Sequence, residues 1–142
     1  MRAVSVAGLS SSPLSAATVS GTLVHTSGQV GREPGTSNVA TGFEAQMRVA
    51  LANLDAVLEA AGSSRAQVLK TVVLLVRRED FDAMNRLYAE HFDEPRPARS
   101  TIVCQLADEL LLFEIEAVAE CAPAPLAADA PSAVGAPAPR AR

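Results

Sequence analysis

Arg99 opens one strand-like segment, and Glu114 and Glu116 take alternate positions in another, so the two carboxylates share a face. This set offers a planar guanidinium fork able to hold a carboxylate by two parallel hydrogen bonds, and a carboxylate able to move protons. The competing interpretation is a surface ion-pair set on an exposed sheet edge. Residue types and spacing alone do not choose between them. His25 and His91 are far apart in sequence, and neither has a second ligand at a recognised spacing, so no metal site is expected. His25 reads as a packed or hydrogen-bonded strand residue, and His91, near a helix end, as solvated or complementing the helix dipole. The glycines of S-G-Q-V-G, Gly28 and Gly31, do not make a phosphate-binding loop, and no G-x-G-x-x-G occurs, so no nucleotide cofactor is implied. There is no G-x-S-x-G elbow, and Cys104, inside a strand-like run, is expected to be an inert buried thiol.

The elements that must position these residues are marked by changes in hydrophobic period. Thr22 to Val30 alternates and ends at glycine, which predicts a strand, and residues 31 to 42 read as a loop. Phe43, Met47, Leu51, Leu54 and Leu58 form the stripe of an amphipathic helix, stopped by Gly62. Lys70 to Arg77 holds five consecutive apolar residues, three of them valine, and predicts a strand at the sheet centre with both faces covered. A second helix is predicted over Glu79 to Phe92, with Asp80 as N-cap and Pro95 and Pro97 beyond it. Arg99 to Leu106 and Leu111 to Ala119 read as strands. Strands mixed with two helices favour an α+β sandwich with the helices on one sheet face. Two helices cover only that side, so the doubly apolar strand calls for a partner subunit over the other.

A length of 142 residues fits one domain. Apolar types reach 49% but aromatics only 4%, so the core is built from Ala, Val and Leu. The formal charge is -4 and no Lys/Arg cluster occurs, which argues against gripping a phosphate backbone, so nucleic acid is not expected as a partner. Cys104 and Cys121 are too few for a disulfide scaffold and fit free thiols in a reducing, cytoplasmic setting. No apolar run approaches the roughly 20 residues of a membrane span, and the first fifteen residues imitate a signal peptide poorly. Residues 122–142 hold five of the nine prolines and nine alanines, and are expected to form a disordered tail after a domain of residues 1–121. Without Arg140, Arg142 and Asp129, the body has 10 basic against 15 acidic residues.

Several blocks occur in order: G-x-L-V-H-T-S-G-Q-V-G (Gly21 to Gly31), E-A-Q-M-R-V-A-L-A-N-L-D-A-V-L-E-A-A-G (Glu44 to Gly62) and V-L-K-T-V-V-L-L-V (Val68 to Val76). D-F-D-A-M-N-R-L-Y-A-E-H-F, P-R-P-A-R-S and F-E-I-E-A-V-A follow. The series resembles the RidA (YjgF) family over about residues 16 to 120. The resemblance implies a chorismate-mutase-like α+β fold, a mixed sheet with two helices on one face, and a homotrimer with its sheets packed inward around three shared clefts. The implied activity is cofactor-independent hydrolysis of reactive enamine and imine intermediates, such as 2-aminoacrylate, to a 2-keto acid and ammonia.

By the same resemblance, Arg99 clamps the substrate carboxylate, and Glu114 orients the attacking water and handles protons. Ser27, Gly28 and Asn85 line the pocket. Thr101 stands where the family carries a cysteine, leaving a backbone carbonyl for the water, and Leu14 aligns with a tyrosine that many members carry, which implies a more apolar pocket. A local hairpin pairing 99 with 116 and 101 with 114 would put these residues on one face. The family topology instead separates the two strands, and joins Ser27, Gly28 and Glu114 of one chain to Asn85, Arg99 and Thr101 of its neighbour. If Arg99 lies close, it is expected to keep Glu114 ionised. Alternatives are a pathway-specific deaminase of an aminomuconate-like or specialised-metabolite enamine, and a non-catalytic trimer that binds small carboxylates or shields unfolded clients. A ribonuclease or translation-inhibitor role, also attached to the family, fits the acidic body poorly.

Overall fold

A computed structural model describes residues 1–9 and 13–122. The expected tail lies outside the described residues from position 123 onward. The strands are β1 (Arg2–Val4), β2 (Ala17–Ser20), β3 (Leu23–Thr26), β4 (Gln29–Val30), β5 (Val68–Leu75), β6 (Ala98–Val103) and β7 (Phe113–Glu120). The helices are α1 (Phe43–Ala61) and α2 (Phe81–His91). One mixed sheet runs β1-β2-β3-β7-β5-β6, with β4 also on β7.

The α1 stripe is buried as the spacing predicts, and Gly62, at φ 84°, turns the chain left-handed while its N–H caps Glu59 and Leu58. Phe43 meets Phe113 of β7 edge to face, 6.0 Å between centroids. Tyr88 of α2 reaches Thr71 of β5 at 2.8 Å. Phe113 and Thr71 belong to the same sheet face, because Phe113 pairs with Leu75 and side chains four residues apart on β5 point the same way. Both helices therefore lie on one side. Phe113, Ile115, Ala117 and Ala119 of β7 fill the core there, while Glu114, Glu116, Val118 and Glu120 point to the other side.

Three expectations are corrected. The chain up to residue 20 supplies two strands, where the sequence predicts none before Thr22. Ala17–Ser20 pairs with Leu23–Thr26 across a two-residue turn at Gly21 and Thr22, with Gly21 at φ 60°, a positive φ that glycine adopts freely. The doubly apolar strand is not the sheet centre. It lies between β7 and the edge strand β6, antiparallel to the first and parallel to the second, with α2 as the crossover. Its register also starts two residues earlier than predicted, at Val68. The predicted N-cap Asp80 makes no capping bond; Arg77 takes its carboxylate with two nitrogens, at 2.7 and 3.0 Å.

The face away from the helices carries partly buried Val72, Leu74 and Val118 beside exposed Ile102 and Leu23. Among the described residues no helix is long and apolar enough to cross a membrane.

Candidate functional site

The predicted strand over Thr22 to Val30 is two strands with a break at Ser27 and Gly28. His25 pairs with Val118 and Gln29 with Ile115, so Thr26, Ser27 and Gly28 stand opposite only Glu116 and Ala117, the geometry of a β-bulge. The Ala117 N–H donates to Thr26 Oγ1 at 2.9 Å. The Ser27 hydroxyl donates to Ser15 O at 2.7 Å, and its N–H to Ala16 O at 2.8 Å, which holds the segment containing Leu14 beside the bulge. Leu14 itself is 52% exposed.

Gly28 is the floor on which Glu114 rests. A Cβ at Gly28 would overlap the Glu114 carboxylate, lying 2.7 Å from its Cδ and 3.0 Å from its Cγ. Burial pushes the half-buried Glu114 carboxyl above the ordinary carboxylate range, and neighbouring Glu116 adds to the rise. Within one chain, then, Glu114 is not held ionised by Arg99.

Arg99 belongs to a second constellation on the helix face. Its NH2 donates to Asn85 Oδ1 at 2.7 Å, its NH1 contacts Met84 Sδ at 3.3 Å, and its Cζ sits 4.7 Å from the Tyr88 ring centroid. Asn85, Met84 and Tyr88 lie one to four residues apart on α2, so one helix face both orients and backs the guanidinium. Of its five N–H donors, those not used by Asn85 and Met84 remain for a ligand. Burial raises the Tyr88 phenol, which stays neutral on Thr71.

Thr101, two residues along β6 from Arg99, lines a cleft of about 460 Å³ with Arg78, Glu79, Phe81, Asp82 and Val103. Its hydroxyl is buried, and among the described residues no group hydrogen-bonds it.

Ser27, Gly28 and Glu114 are thus brought together, with Leu14 nearby, and Asn85 and Arg99 are brought together with Thr101 beside them. The two sets are not brought together in one chain. Strand β5 separates β6 from β7, so the local hairpin does not form. Arg99 pairs with Thr71 and Glu114 with Leu74, positions of opposite orientation on β5. Tyr88, Met84 and Thr26 were not foreseen as supports. Their signals were the α2 stripe placing Tyr88 over the β6 edge and a threonine preceding the S-G break.

Neither histidine nor Cys104 joins these sets. His25 is exposed. His91, expected to be solvated, is only partly exposed, packed edge-on against Phe92, with Nε2 3.2 Å from Asp55 Oδ1. Cys104 follows β6 and is half-buried, outside the strand. Among the described residues no three His, Cys, Asp or Glu side chains are arranged to hold a metal ion.

A family model described as endoribonuclease L-PSP matches residues 5–121. A RutC family protein of Pyrococcus horikoshii is 39% identical over 108 residues, 75% of this chain and 86% of that protein. The human 2-iminobutanoate/2-iminopropanoate deaminase is 34% identical, covering 75% of this chain and 79% of that one. Among solved structures, RidA of the Antarctic bacterium Psychrobacter sp. superposes with a TM-score of 0.80 at 30% identity, over 84% of this chain and 99% of its own. E. coli TdcF with bound serine gives 0.79 at 28% identity, over 86% and 100%. The ordered motifs, the mixed sheet with its two helices and these likenesses agree, and the chain belongs to the RidA (YjgF) family, the group described by the endoribonuclease L-PSP model.

Proposed function

We propose that this chain is a cofactor-independent hydrolase that converts 2-imino acids, formed from reactive enamines such as 2-aminoacrylate, to 2-oxo acids and ammonia. It works at clefts shared between copies in a cytoplasmic homotrimer whose sheets pack inward. The observation that carries the proposal is the placement of a prepared guanidinium and a half-buried carboxyl on opposite faces of one sheet, each with its own supporting residues. A second copy is needed to bring them to one substrate. The partly apolar face around Val72, Leu74 and Val118 supports such packing.

The chemistry suits this small set of groups. The enamine tautomerises to an imine whose carbon is already electrophilic, so no electron sink is required. Arg99 holds the carboxylate through the donors that Asn85 and Met84 leave free. Glu114 orients water and takes its proton as the new C–O bond forms. It then returns a proton to nitrogen, the C–N bond of the carbinolamine breaks, and imine plus water leave as oxo acid plus ammonia. A carboxyl raised by burial is suited to the second step. The neighbour's guanidinium, arriving on assembly, favours the ionised form needed for the first.

The names of the human and Salmonella typhimurium relatives, both 2-iminobutanoate/2-iminopropanoate deaminases, support the reaction class. The amino acid bound to TdcF supports a small carboxylate as ligand. Leu14 and Thr101, at positions given to tyrosine and cysteine, favour a pathway-specific imine with a more apolar side chain as the second reading. Ribonuclease action fits the acidic body poorly. The test is the lifetime of 2-iminopropanoate and 2-iminobutanoate generated in situ and followed by trapping. A shortened lifetime with catalytic amounts of protein is expected, and an unchanged one overturns the reading in favour of a carboxylate-binding module.

A further inference from the structure

Two amides on the buried face of α1 are spent entirely on backbone outside the helix. Gln46, 3% exposed, donates from Nε2 to Leu110 O at 2.9 Å and accepts from the Leu112 N–H at 2.8 Å through Oε1. It thus acts as a strand neighbour for the three residues that lead into β7. Asn53, on the same helix face, donates from Nδ2 to Val30 O at 3.1 Å and to Arg32 O at 3.0 Å. Between them Gly31 lies so close to Gln46 that a Cβ would come within 2.5 Å of Gln46 Cα and 2.7 Å of its Cγ.

These contacts bracket one residue. Val30 is the partner of Glu114 across β4 and β7, and Leu112 precedes Glu114 by two positions. The hydrophobic stripe explains neither amide: leucine at either place would bury more apolar surface but would leave the loop backbone groups they hold without partners. What glutamine supplies is a donor and an acceptor on one short planar group, matched to the carbonyl of Leu110 and the N–H of Leu112.

We infer that Gln46 is a positioning residue for the proposed hydrolysis, fixing the Leu110–Leu112 segment so that the Glu114 carboxylate stays seated on Gly28 at the mouth of the bulge. This rests on Glu114 as the proton carrier but not on the identity of the imine. Arg99 lies on the face opposite Glu114, held by α2, and among the described residues no hydrogen bond joins it to Gln46, so substrate binding and proton handling separate in the test.

The variants are Gln46→Leu, which keeps the volume and loses both hydrogen bonds, and Gln46→Glu. Burial keeps the new carboxyl in the protonated form, which retains an acceptor for Leu112 and a donor for Leu110. Two readouts are taken on the full chain. For imine hydrolysis, Gln46→Leu is expected to lower kcat by about 10-fold or more with KM within about twofold, and Gln46→Glu to recover most of it. In parallel, the Glu114 carboxyl is titrated by carbon NMR, and its midpoint should move by about 0.5 pH unit or more toward that of an exposed glutamate in Gln46→Leu. A midpoint that stays in place overturns the assignment whether or not the wild type turns over imines. Wild-type kcat in Gln46→Leu overturns it as well. Should Gln46→Leu fail to fold, Asn53→Leu, which frees the β4 side of the same bracket, must displace the Glu114 midpoint in the same direction, and an undisplaced midpoint there is the overturning result. Absence of imine hydrolysis in the wild type would instead strike only the proposed reaction.

Discussion

Arg99 and Glu114 stand on opposite faces of the same sheet, with β5 between their strands. Arg99 leans on α2 through Asn85, Met84 and Tyr88, whereas Glu114 lies over Gly28 on the side the helices do not cover. No side-chain rotation brings one through the sheet to the other, so the pair can meet only between molecules.

Complementation tests this directly. Arg99→Ala and Glu114→Gln chains, each strongly impaired alone, should regain a measurable fraction of wild-type turnover when refolded together, because a crevice formed by Glu114 of one and Arg99 of the other is intact. A mixture as dead as its components would refute sharing.

At Arg99 the fork matters as well as the charge. Arg99→Ala should lower kcat/KM by roughly 100-fold or more, mainly through KM, and Arg99→Lys should recover little of it, since a lysine offers no bidentate geometry and fits the Tyr88 face less well. Recovery to near wild type with lysine would mean that only a point charge is required.

Glu114→Gln should lower kcat by roughly 100-fold or more, a typical cost of losing a general acid–base group. It also carries a pH signature with a definite sign. The folded carboxyl is raised, by burial first and Glu116 second, so the folded chain holds this proton more tightly than the unfolded chain does. The resulting stabilisation is full below the unfolded value of about 4.3 and disappears as pH climbs through the raised folded value. In an Arg99→Ala background, where no neighbouring guanidinium offsets the charge, Glu114→Gln should therefore melt roughly 2–5 °C higher at pH 8, with no advantage near pH 4. Equal melting at both pH values would contradict the placement of Glu114.

Gly28→Ala should cut turnover by roughly 10-fold or more, because misplacing a reacting group by a fraction of an ångström is costly, and the new methyl must displace the Glu114 side chain. The secondary structure seen by circular dichroism should not change, since the residue sits at the bulge and outside the regular ladders. Wild-type kcat in this variant would show that Glu114 works from elsewhere.

The strongly periodic elements were legible in the amino-acid order. The Phe43-to-Leu58 stripe, the Gly62 stop and the alternation from Phe113 to Ala119 all specify one buried face, and each appears as the spacing predicts. The β1–β2 segment was not legible, because strands as short as Arg2–Val4 and Ala17–Ser20 offer too few alternations to stand out. Its usable signal was the Gly21 turn. The place of β5 in the sheet was also hidden, since a doubly apolar run reports only that both faces are covered and not which strands flank it. Composition and spacing suggested clamp and proton chemistry at Arg99 and Glu114 but could not separate it from an ion-pair set, and the family resemblance named Ser27, Gly28 and Asn85. What escaped were the supports: Tyr88 under Arg99, Thr26 taking the Ala117 N–H, and Gln46 and Asn53 gripping loop backbone. Each acts through a contact with a residue distant in sequence, whose partner the local pattern does not specify.

The two-sidedness of the sheet also changes what selection can see. If every crevice draws on two gene products, a damaged allele in a mixed population harms its neighbours' output as well as its own, while two differently damaged alleles can cover for each other. Fitness then belongs to the blend of chains in the cell, and scarcity of protein alone, by starving association, would silence the chemistry without any loss of folding.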